Sequence, residues 1–287
     1  AYNGVPPPVD CHFSYLRATI RPCTDDTDNR SQTLARRRRK RSKRAMIETW
    51  TPKRALFVYA HPDDVDFSAA GTAAKWARNG SELTYVIMTD GNAGSHDPDM
   101  SKERLGRIRR AEQQAAAAAV GVKSCIFIGC PDGLLTPTLA LRKRLVRIIR
   151  EIQPEAVVCG DPRRYFSGNT YINHPDHRAA AHLALDAVFP AAEMNLLYPD
   201  LLEEGLRGHK VNHVYISTRD DPDCYVDISD TVGLKIEALR QHASQMNGWD
   251  PGPPIRERHA ALGEQAGCEY AEAFRRMVLK PIEDDER

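Results

Sequence analysis

The sequence predicts an α/β protein with a three-layer, Rossmann-like fold built on a mostly parallel sheet. From residue 51 onward, short apolar runs alternate with longer amphipathic stretches, which is typical of βαβ units. Acidic or other polar residues directly follow each of the first four apolar runs. Because ligands bind at the carboxyl ends of strands in such sheets, we expect one domain over residues 46–287 with its chemistry at one sheet edge.

The first 45 residues show no sustained helical or strand period, and residues 36–44 contain eight cationic residues in nine. One interpretation of this run is a patch for nucleic acid, an anionic surface or nuclear targeting. The other is a disordered basic extension. We favour the extension, because the chain does not begin with Met while Met46 directly precedes the first organised segment. We therefore separate residues 1–45 from the fold.

Apolar runs predict the central strands, and the stretches between them predict helices. The expected strands are residues 55–60, 83–89, 125–129 and 156–159, followed later by 214–218 and 225–228. The expected helices are residues 68–79, 103–120, 139–152, about 231–246, and a final helix from about residue 257. The second helix contains the run AEQQAAAAAV, which is rich in strong helix formers. Gly80, Gly121 and Pro154 fall where helices are expected to stop.

The distribution of charge and the cysteine content argue against a nucleic-acid-binding body and against a disulfide-bonded protein. The formal net charge of +1 divides into +6 for residues 1–50 and −5 for the remainder, so the body is not expected to bind nucleic acid. The seven cysteines are scattered singly, which favours reduced thiols and a cytoplasmic location. No apolar run approaches the roughly 20 residues of a membrane span. The sequence is compatible with a homo-oligomer and leaves the oligomeric state open.

Two short motifs carry the candidate chemistry. In ALFVYAHPDDVD, residues 55–66, His61 and Asp64 are three apart directly after a strand, so a tight turn can direct both to one position. Asp63 lies between them and must point elsewhere. In HPDH, His174 and His177 are again three apart, at a predicted helix start. The co-occurrence of the two motifs in an α/β pattern indicates a metal centre.

Two imidazoles and one carboxylate form a suitable ligand set for Zn²⁺, which leaves a fourth position for water. A free carboxylate beside such a site can act as general base, and a further imidazole can act as acid or oxyanion donor. Aspartates also follow the next three strands, at Asp90, Asp132 and Asp161. Each of these alone is more typical of a helix cap, but four polar strand ends together favour a shared site.

With these motifs the sequence resembles the LmbE-like, or PIG-L-like, zinc-dependent N-acetylglucosaminyl deacetylases. AHPDD at 60–64 and HPDH at 174–177 match the two hallmark motifs of that family. TDGNAG at 89–94, RRAE at 109–112 and HASQ at 242–245 match its second-strand loop, its R-x-x-E helix and its late H-x-S-Q element. The resemblance extends from about residue 54 to near the C-terminus and does not include the first 45 residues.

The resemblance implies roles for five residues of the two hallmark motifs. His61, Asp64 and His177 would hold the zinc ion. Asp63 would be the general base that activates the attacking water. His174 would stabilise the tetrahedral oxyanion and protonate the leaving amine.

The resemblance also implies that Arg109 and Asp132 bind or position the sugar, and that Tyr171 assists the carbonyl. One departure from the family is plain, because the first motif usually continues as HPDDE and this chain has Val65 at that place. Asp66 follows immediately, so either a displaced acid substitutes for the glutamate or the support of the site differs. His242 of HASQ is expected either near the site or in a structural role between helices.

The expected function is therefore zinc-dependent removal of an N-acetyl group from an N-acetylglucosamine-type sugar or glycoconjugate, with a small amino-sugar conjugate as substrate. Two alternatives stay open. The first is a metal-dependent amidase acting on another N-acylated small molecule. The second is a nucleic-acid-binding module that uses residues 36–44, which would show no metal dependence and a steep salt dependence of binding.

Overall fold

An eight-stranded sheet forms the centre of the protein. The structure, a computed structural model, describes residues 46–218 and 220–279, so the predicted basic extension lies outside the described residues. The strands of this sheet are β1 (Met46–Ile47), β2 (Arg54–Tyr59), β3 (Glu82–Thr89), β4 (Ser124–Cys130), β5 (Ala156–Gly160), β8 (His213–Ser217), β9 (Cys224–Asp227) and β10 (Ala271–Val278). Strands β6 (Phe166–Ser167) and β7 (Tyr171–Ile172) form a separate hairpin.

The strand order across the sheet is β1-β9-β10-β8-β5-β2-β3-β4. Only β10 runs antiparallel to its neighbours, β8 and β9, and all other pairs are parallel. The prediction of a mostly parallel sheet is therefore confirmed. The chain leaves β2 towards β3 and β4 and then returns to β5 on the other side of β2, so the order of the strands switches between β2 and β5. Ligands of open α/β sheets bind beside such a switch.

Helices cover both faces of the sheet. They are α1 (Asp64–Arg78), α2 (Lys102–Ala119), α3 (Leu139–Ile152), α4 (Pro175–Asp186), α5 (Pro199–Glu203), α6 (Val232–Arg240), α7 (Ala243–Met246) and α8 (Gly252–Ala266). A kinked segment at Ala187–Ala192, with extended backbone at Phe189, and a 3-10 turn at Asn195–Leu197 connect α4 to α5. Within the described part of the chain, no helix is both long and apolar enough to cross a membrane.

The alternation of side chains along β2 explains the three layers. Phe57 and Tyr59 pack in one apolar cluster with residues of α1, α2 and α6. Leu56 and Val58 pack in a second cluster with residues of α3 and α4. Because successive strand residues point to opposite faces, an apolar run without alternation is apolar on both sides and requires a helical layer on each.

The last third of the chain differs from the sequence prediction. The single helix expected over about residues 231–246 was wrong, because α6 ends at Arg240 and a new helix, α7, begins at Ala243. The break lies at His242, whose backbone is non-helical and whose Nε2 lies 2.9 Å from Asp66 Oδ2. The sequence analysis also did not predict β10 or the hairpin of β6 and β7.

Candidate active site

The first part of the site is the turn between β2 and α1. His61 follows the strand, Asp64 begins the helix, and Asp63 is the N-cap residue with φ +96°. A residue other than glycine adopts a positive φ only where its surroundings enforce it. Here the backbone N–H of Asp63 donates to Gln113 Oε1 at 2.9 Å, and its carbonyl accepts the N–H of Asp66 at 2.9 Å. In this turn the two adjacent carboxylates have different partners, Arg109 for Asp63 and the imidazoles of His61 and His177 for Asp64.

The imidazole of His61 lies between carboxylates on both of its nitrogens. Nδ1 is 3.2 Å from Asp64 Oδ2, while Nε2 is 3.0 Å from Asp132 Oδ1 and 3.3 Å from Asp176 Oδ2. Burial lowers the pKa of His61, but the surrounding carboxylates, Asp64 first among them, outweigh it and raise that pKa to about 12. Three carboxylates around one ring make this position strongly attractive to positive charge.

Helix α4 supplies the other two histidines. Nε2 of His177 lies 3.0 Å from Asp64 Oδ1, and its Nδ1 lies 2.9 Å from Asn173 Oδ1. His174 is the N-cap residue, and its Nδ1 accepts the backbone N–H of Asp176 at 3.2 Å. Because Nδ1 is an acceptor, the proton of the neutral ring is on Nε2. The centroid of the His174 ring lies 4.7 Å from that of His61.

His61, Asp64 and His177 could hold a divalent cation. The carboxylate of Asp64 reaches both imidazoles, and each imidazole gives its other nitrogen to an acceptor, as metal-binding histidines do. Ligand atoms of His61, His174 and His177 lie within 4.8 Å of one another, a grouping that does not include Asp64. We favour the set with Asp64, because His174 Nδ1 already accepts a hydrogen bond and a carboxylate supplies the negative charge that three imidazoles lack.

A second grouping of ligand atoms within 4.8 Å joins His61 to Asp132, His174 and Asp176. In it, Asp176 already accepts the backbone N–H groups of Gly133 at 2.8 Å and Leu135 at 3.1 Å. We interpret Asp132 and Asp176 as acceptors for His61 Nε2, which orient the ring so that Nδ1 faces Asp64.

Asp63 is a carboxylate beside these ligands that takes no part in their contacts. Its side chain is 16% exposed, and its Oδ2 accepts a hydrogen bond from Arg109 at 3.1 Å. Burial and then the charge of Asp64 raise the pKa of Asp63 to about 6, although Arg109 opposes the shift. A carboxylate with a pKa close to neutral pH is well suited to accept and return a proton.

The two residues that follow HPDD in this chain, Val65 and Asp66, are both buried next to the turn. Val65 is fully buried in the apolar cluster beneath the turn. Asp66 is buried as well, and its Oδ2 accepts Gln113 Nε2 at 2.9 Å and lies 2.9 Å from His242 Nε2. Since Gln113 also accepts the N–H of Asp63, a chain of hydrogen bonds runs from His242 through Asp66 to the backbone of the candidate base. His242 therefore lies near the site.

The R-x-x-E helix and the H-x-S-Q element are joined directly. Glu112 accepts the backbone N–H of Ser244 at 2.7 Å and its hydroxyl at 2.6 Å. Two sequence motifs that lie more than 100 residues apart thus meet behind the turn that carries Asp63.

Arg109 and Asp132, which were expected to bind or position the sugar, contact the candidate base and a candidate metal ligand. Arg109 contacts Asp63, and Asp132 contacts His61. Arg109 is buried, and besides Asp63 it donates to the carbonyls of Gly91 at 2.8 Å and Pro62 at 2.6 Å. A Cβ at residue 91, where φ is +61°, would lie only 2.2 Å from the guanidinium, so this close approach requires glycine. Asp132 contacts His61 and accepts the N–H of Ala93 at 2.8 Å.

Tyr171 lies on the exposed hairpin strand β7 and lines a cavity of about 360 Å³ that begins at Asp64 and His177.

The other two aspartates at strand ends, Asp90 and Asp161, do not contact the candidate metal ligands. Asp90 binds Arg110 through two hydrogen bonds of 2.8 and 2.9 Å, and Asp161 binds Arg163. Both aspartates therefore have a structural role, in binding an arginine, rather than a place in the candidate site.

The sequence analysis did not single out Gln113, Asn173 or Asp176. Asp176 carried a signal, because it lies within HPDH in the first turn of a helix, next to both histidines. Asn173 directly precedes the same motif. Gln113 gave no local signal, since its importance depends on contacts with Asp63 and Asp66 some 50 residues away.

Comparison with known proteins gives the family of the chain. The model of the PIG-L family, described as GlcNAc-PI de-N-acetylase, matches residues 56–188, which include both histidine motifs. A diacetylchitobiose deacetylase of Thermococcus kodakarensis is 33% identical over 226 residues, covering 78% of this chain and 82% of that protein. The chain belongs to the PIG-L (LmbE-like) deacetylase family.

Another member of the PIG-L family, the 1D-myo-inositol 2-acetamido-2-deoxy-alpha-D-glucopyranoside deacetylase of Mycobacterium sp. (strain KMS), is 28% identical over 236 residues. That match covers 68% of this chain and 74% of that protein. The crystal structure of N,N'-diacetylchitobiose deacetylase from Pyrococcus horikoshii superimposes with a TM-score of 0.73 at 30% identity, covering 91% of this chain and 98% of that one. The predicted family and the predicted α/β fold are both confirmed.

Proposed function

We propose that the protein removes the N-acetyl group from an N-acetylglucosamine-type sugar or glycoconjugate, with Zn²⁺ held by His61, Asp64 and His177. The observation that carries this proposal is the carboxylate of Asp63, which is adjacent to Asp64 and whose one side-chain partner among the described residues is Arg109. Membership of the PIG-L family and the names of its members support an amino-sugar amide as substrate. When bound, the cation would polarise the amide carbonyl and lower the pKa of a nearby water.

Asp63 is the proton acceptor in this proposal. Arg109 holds its Oδ2, so Oδ1, which has no hydrogen-bond partner among residues 46–218 and 220–279, is left to take the proton from the attacking water. The turn with positive φ fixes the direction of this carboxylate before substrate binds, which lowers the entropic cost of reaching the reactive geometry.

His174 stabilises the developing oxyanion through its Nε2–H. Its Nδ1 is already occupied by the backbone N–H of Asp176, which fixes both the tautomer and the orientation of the ring. Water adds to the carbonyl carbon, the C–N bond breaks, and the nitrogen leaves with a proton returned by Asp63 or His174. The products are acetate and a free amine. Asp132 orients His61, and Tyr171, at the cavity, is the residue we propose for contact with the sugar.

The five cysteines in the described residues are free, which agrees with our proposal of a cytoplasmic location. The nucleic-acid alternative depends on residues 36–44, outside the described residues, and stays a prediction. The homo-oligomer expectation likewise remains untested.

The experiment that tests the function is a panel of N-acetylglucosamine conjugates and other N-acyl compounds assayed for released amine, with and without a chelator. We expect turnover of at least one amino-sugar conjugate, loss of that turnover with the chelator and recovery with added Zn²⁺. Turnover that persists without metal would contradict the metal assignment. Turnover confined to N-acyl compounds without a sugar would favour the amidase alternative.

A further inference from the structure

The cavity that begins at Asp64 and His177 contains positive charge that the deacetylation reaction does not use. Its volume of about 360 Å³ is in the range of small-molecule sites and is far larger than an acetyl group. Arg164 and Arg258 line it, and the same two arginines line a smaller adjoining cavity together with Phe67, Ser68 and Ser217. A ligand that reaches the candidate metal ligands can therefore extend to both guanidinium groups.

Arg164 is held in place but not neutralised. Its NH2 group donates to Ser167 Oγ at 2.7 Å, and its carbonyl accepts Asn173 Nδ2 at 2.8 Å. Asn173 also contacts His177, so one amide connects the loop of Arg164 to a candidate metal ligand. Nε of Arg164 is buried and has no hydrogen-bond acceptor among the described residues, since its ion pair with the exposed Asp220 is long, at 3.9 Å.

Arg258, on α8, is partly buried and has no hydrogen bond or ion pair with any residue in the described ranges. Two cations, Arg164 and Lys235, act on it electrostatically, of which Lys235 is already paired with Glu272. Burial and then the charge of Arg164 lower the pKa of Arg258. Both guanidinium groups are only weakly balanced, since the ion pair of Arg164 with Asp220 is 3.9 Å long and Arg258 has none within the described ranges. A ligand that supplies negative charge would lower the cost of their partial burial.

The carboxylates that line the same cavity are already occupied. Asp64 faces the imidazoles of His61 and His177. Asp161 accepts the backbone N–H of Arg163 at 2.9 Å and its side chain at 3.1 and 3.2 Å. Among the described residues, no carboxylate that lines the cavity pairs with Arg258, and the ion pair of Arg164 is with Asp220, which does not line this cavity.

We propose that Arg164 and Arg258 form a subsite for an oxyanion, a phosphate or a carboxylate, carried by the sugar conjugate that the enzyme deacetylates. The planar guanidinium group matches the geometry of both oxyanions. This inference rests on the proposed function for the identity of the ligand, but the binding of an oxyanion to the two arginines can be measured independently of turnover.

The first experiment is calorimetric titration of the full, metal-loaded chain with inorganic phosphate. Arg164→Gln and Arg258→Gln should each weaken binding by about 10-fold, as expected for a charged hydrogen bond, and Arg258→Lys should retain part of it. The matched control is Arg256→Gln, which removes the same charge from the same helix at a residue that lies over Tyr270. Equal affinities of the Arg258→Gln and Arg256→Gln proteins would overturn the subsite.

The second experiment compares kcat/KM on N-acetylglucosamine 6-phosphate, N-acetylglucosamine 1-phosphate, N-acetylmuramic acid and neutral N,N'-diacetylchitobiose. We expect an anionic substrate to be preferred and Arg258→Gln to lower the ratio of anionic to neutral kcat/KM by about 10-fold. The first two substrates test phosphate and the third tests carboxylate. A ratio that the Arg164 and Arg258 variants do not change would overturn the proposal.

The two experiments also separate this inference from the proposed function. If no sugar is deacetylated while phosphate binding still depends on Arg164 and Arg258, the function fails and the oxyanion subsite stands. If sugars are deacetylated and phosphate binding is the same in all variants, the subsite fails and the function stands.

Discussion

Helix α1 anchors two groups of buried charged residues that differ in how their charges are balanced. Near the middle of the helix, Lys235 and Glu272 are fully buried and form an ion pair of 2.7 Å. The Glu272 carboxylate also accepts the N–H groups of Gly71 at 3.0 Å and Thr72 at 2.8 Å, and Lys235 donates to the carbonyl of Phe67 at 3.0 Å. Each charge has an opposite charge and backbone partners.

At the start of the same helix the balance is different. The ring of His61 contacts three carboxylates, those of Asp64, Asp132 and Asp176, so hydrogen-bond acceptors outnumber donors around it. Asp63 keeps one oxygen without a hydrogen-bond partner among the described residues. The comparison indicates that burial of charge alone does not identify a site. The buried pair of Lys235 and Glu272, whose charges are balanced, holds helices and strands together. The group at His61, with more carboxylates than cations and a carboxylate oxygen on Asp63 that Arg109 does not occupy, is suited to bind a cation and move a proton.

The largest effect that would test this comparison is on turnover. Asp63→Asn should lower kcat by about 10²–10⁴-fold, the usual contribution of a general base, while metal content stays unchanged. Both quantities can be measured on one preparation, by amine release and elemental analysis. The matched control is Asp186→Asn. Asp186 is an exposed aspartate at the end of α4, so this variant should keep the wild-type kcat. Near-normal turnover of the Asp63→Asn protein would remove Asp63 as the base.

Lys235→Met should act on stability instead. Removing one partner leaves the Glu272 charge buried and uncompensated, so the free energy of unfolding should fall by about 3–5 kcal/mol. Denaturant titration of the metal-free protein measures this change. Combining Lys235→Met with Glu272→Leu should recover part of the loss, and the zinc content of the folded fraction should not change. A loss of metal in Lys235→Met would show that the two groups are not independent.

His177→Ala should weaken metal binding by at least about 100-fold, roughly 2.7 kcal/mol, because it removes one of the three proposed protein ligands. Competition with a chromophoric chelator measures the affinity. His182→Ala is the control, since His182 is exposed on the same helix and should bind metal as the wild type does. Unchanged affinity in His177→Ala would exclude His177 from the ligand set.

The smallest expected effect concerns the support of the base. Asp66→Asn should weaken the hydrogen bonds with Gln113 and His242 that position the backbone of Asp63, and should lower kcat by about 10-fold with little change in KM or metal content. Steady-state kinetics and elemental analysis check this expectation. A rise in KM without a fall in kcat would place Asp66 in substrate binding rather than in positioning the base.

The sequence correctly predicted the strands and helices that follow from the local pattern of apolar and polar residues. The central strands, the helix at Leu139–Ile152 and the two histidine motifs were found at or within a few residues of their expected places. The predictions of secondary structure failed where contacts between residues distant in the sequence determine the backbone. The helix over about residues 231–246 breaks at His242 because its ring binds Asp66, 176 residues earlier in the chain.

Sequence by itself determined the α/β class, the family, and the spacing that brings His61 towards Asp64 and His174 towards His177, because strand periodicity and i,i+3 geometry are local properties. Tertiary structure alone decided which nitrogen of His61 faces Asp64, that Arg109 holds the candidate base, and that Arg164 and Arg258 line one cavity. The orientation of the His61 ring depends on Asp132 and Asp176, and the other two features also depend on residues far apart in the chain, which only packing of the folded sheet and helices brings together.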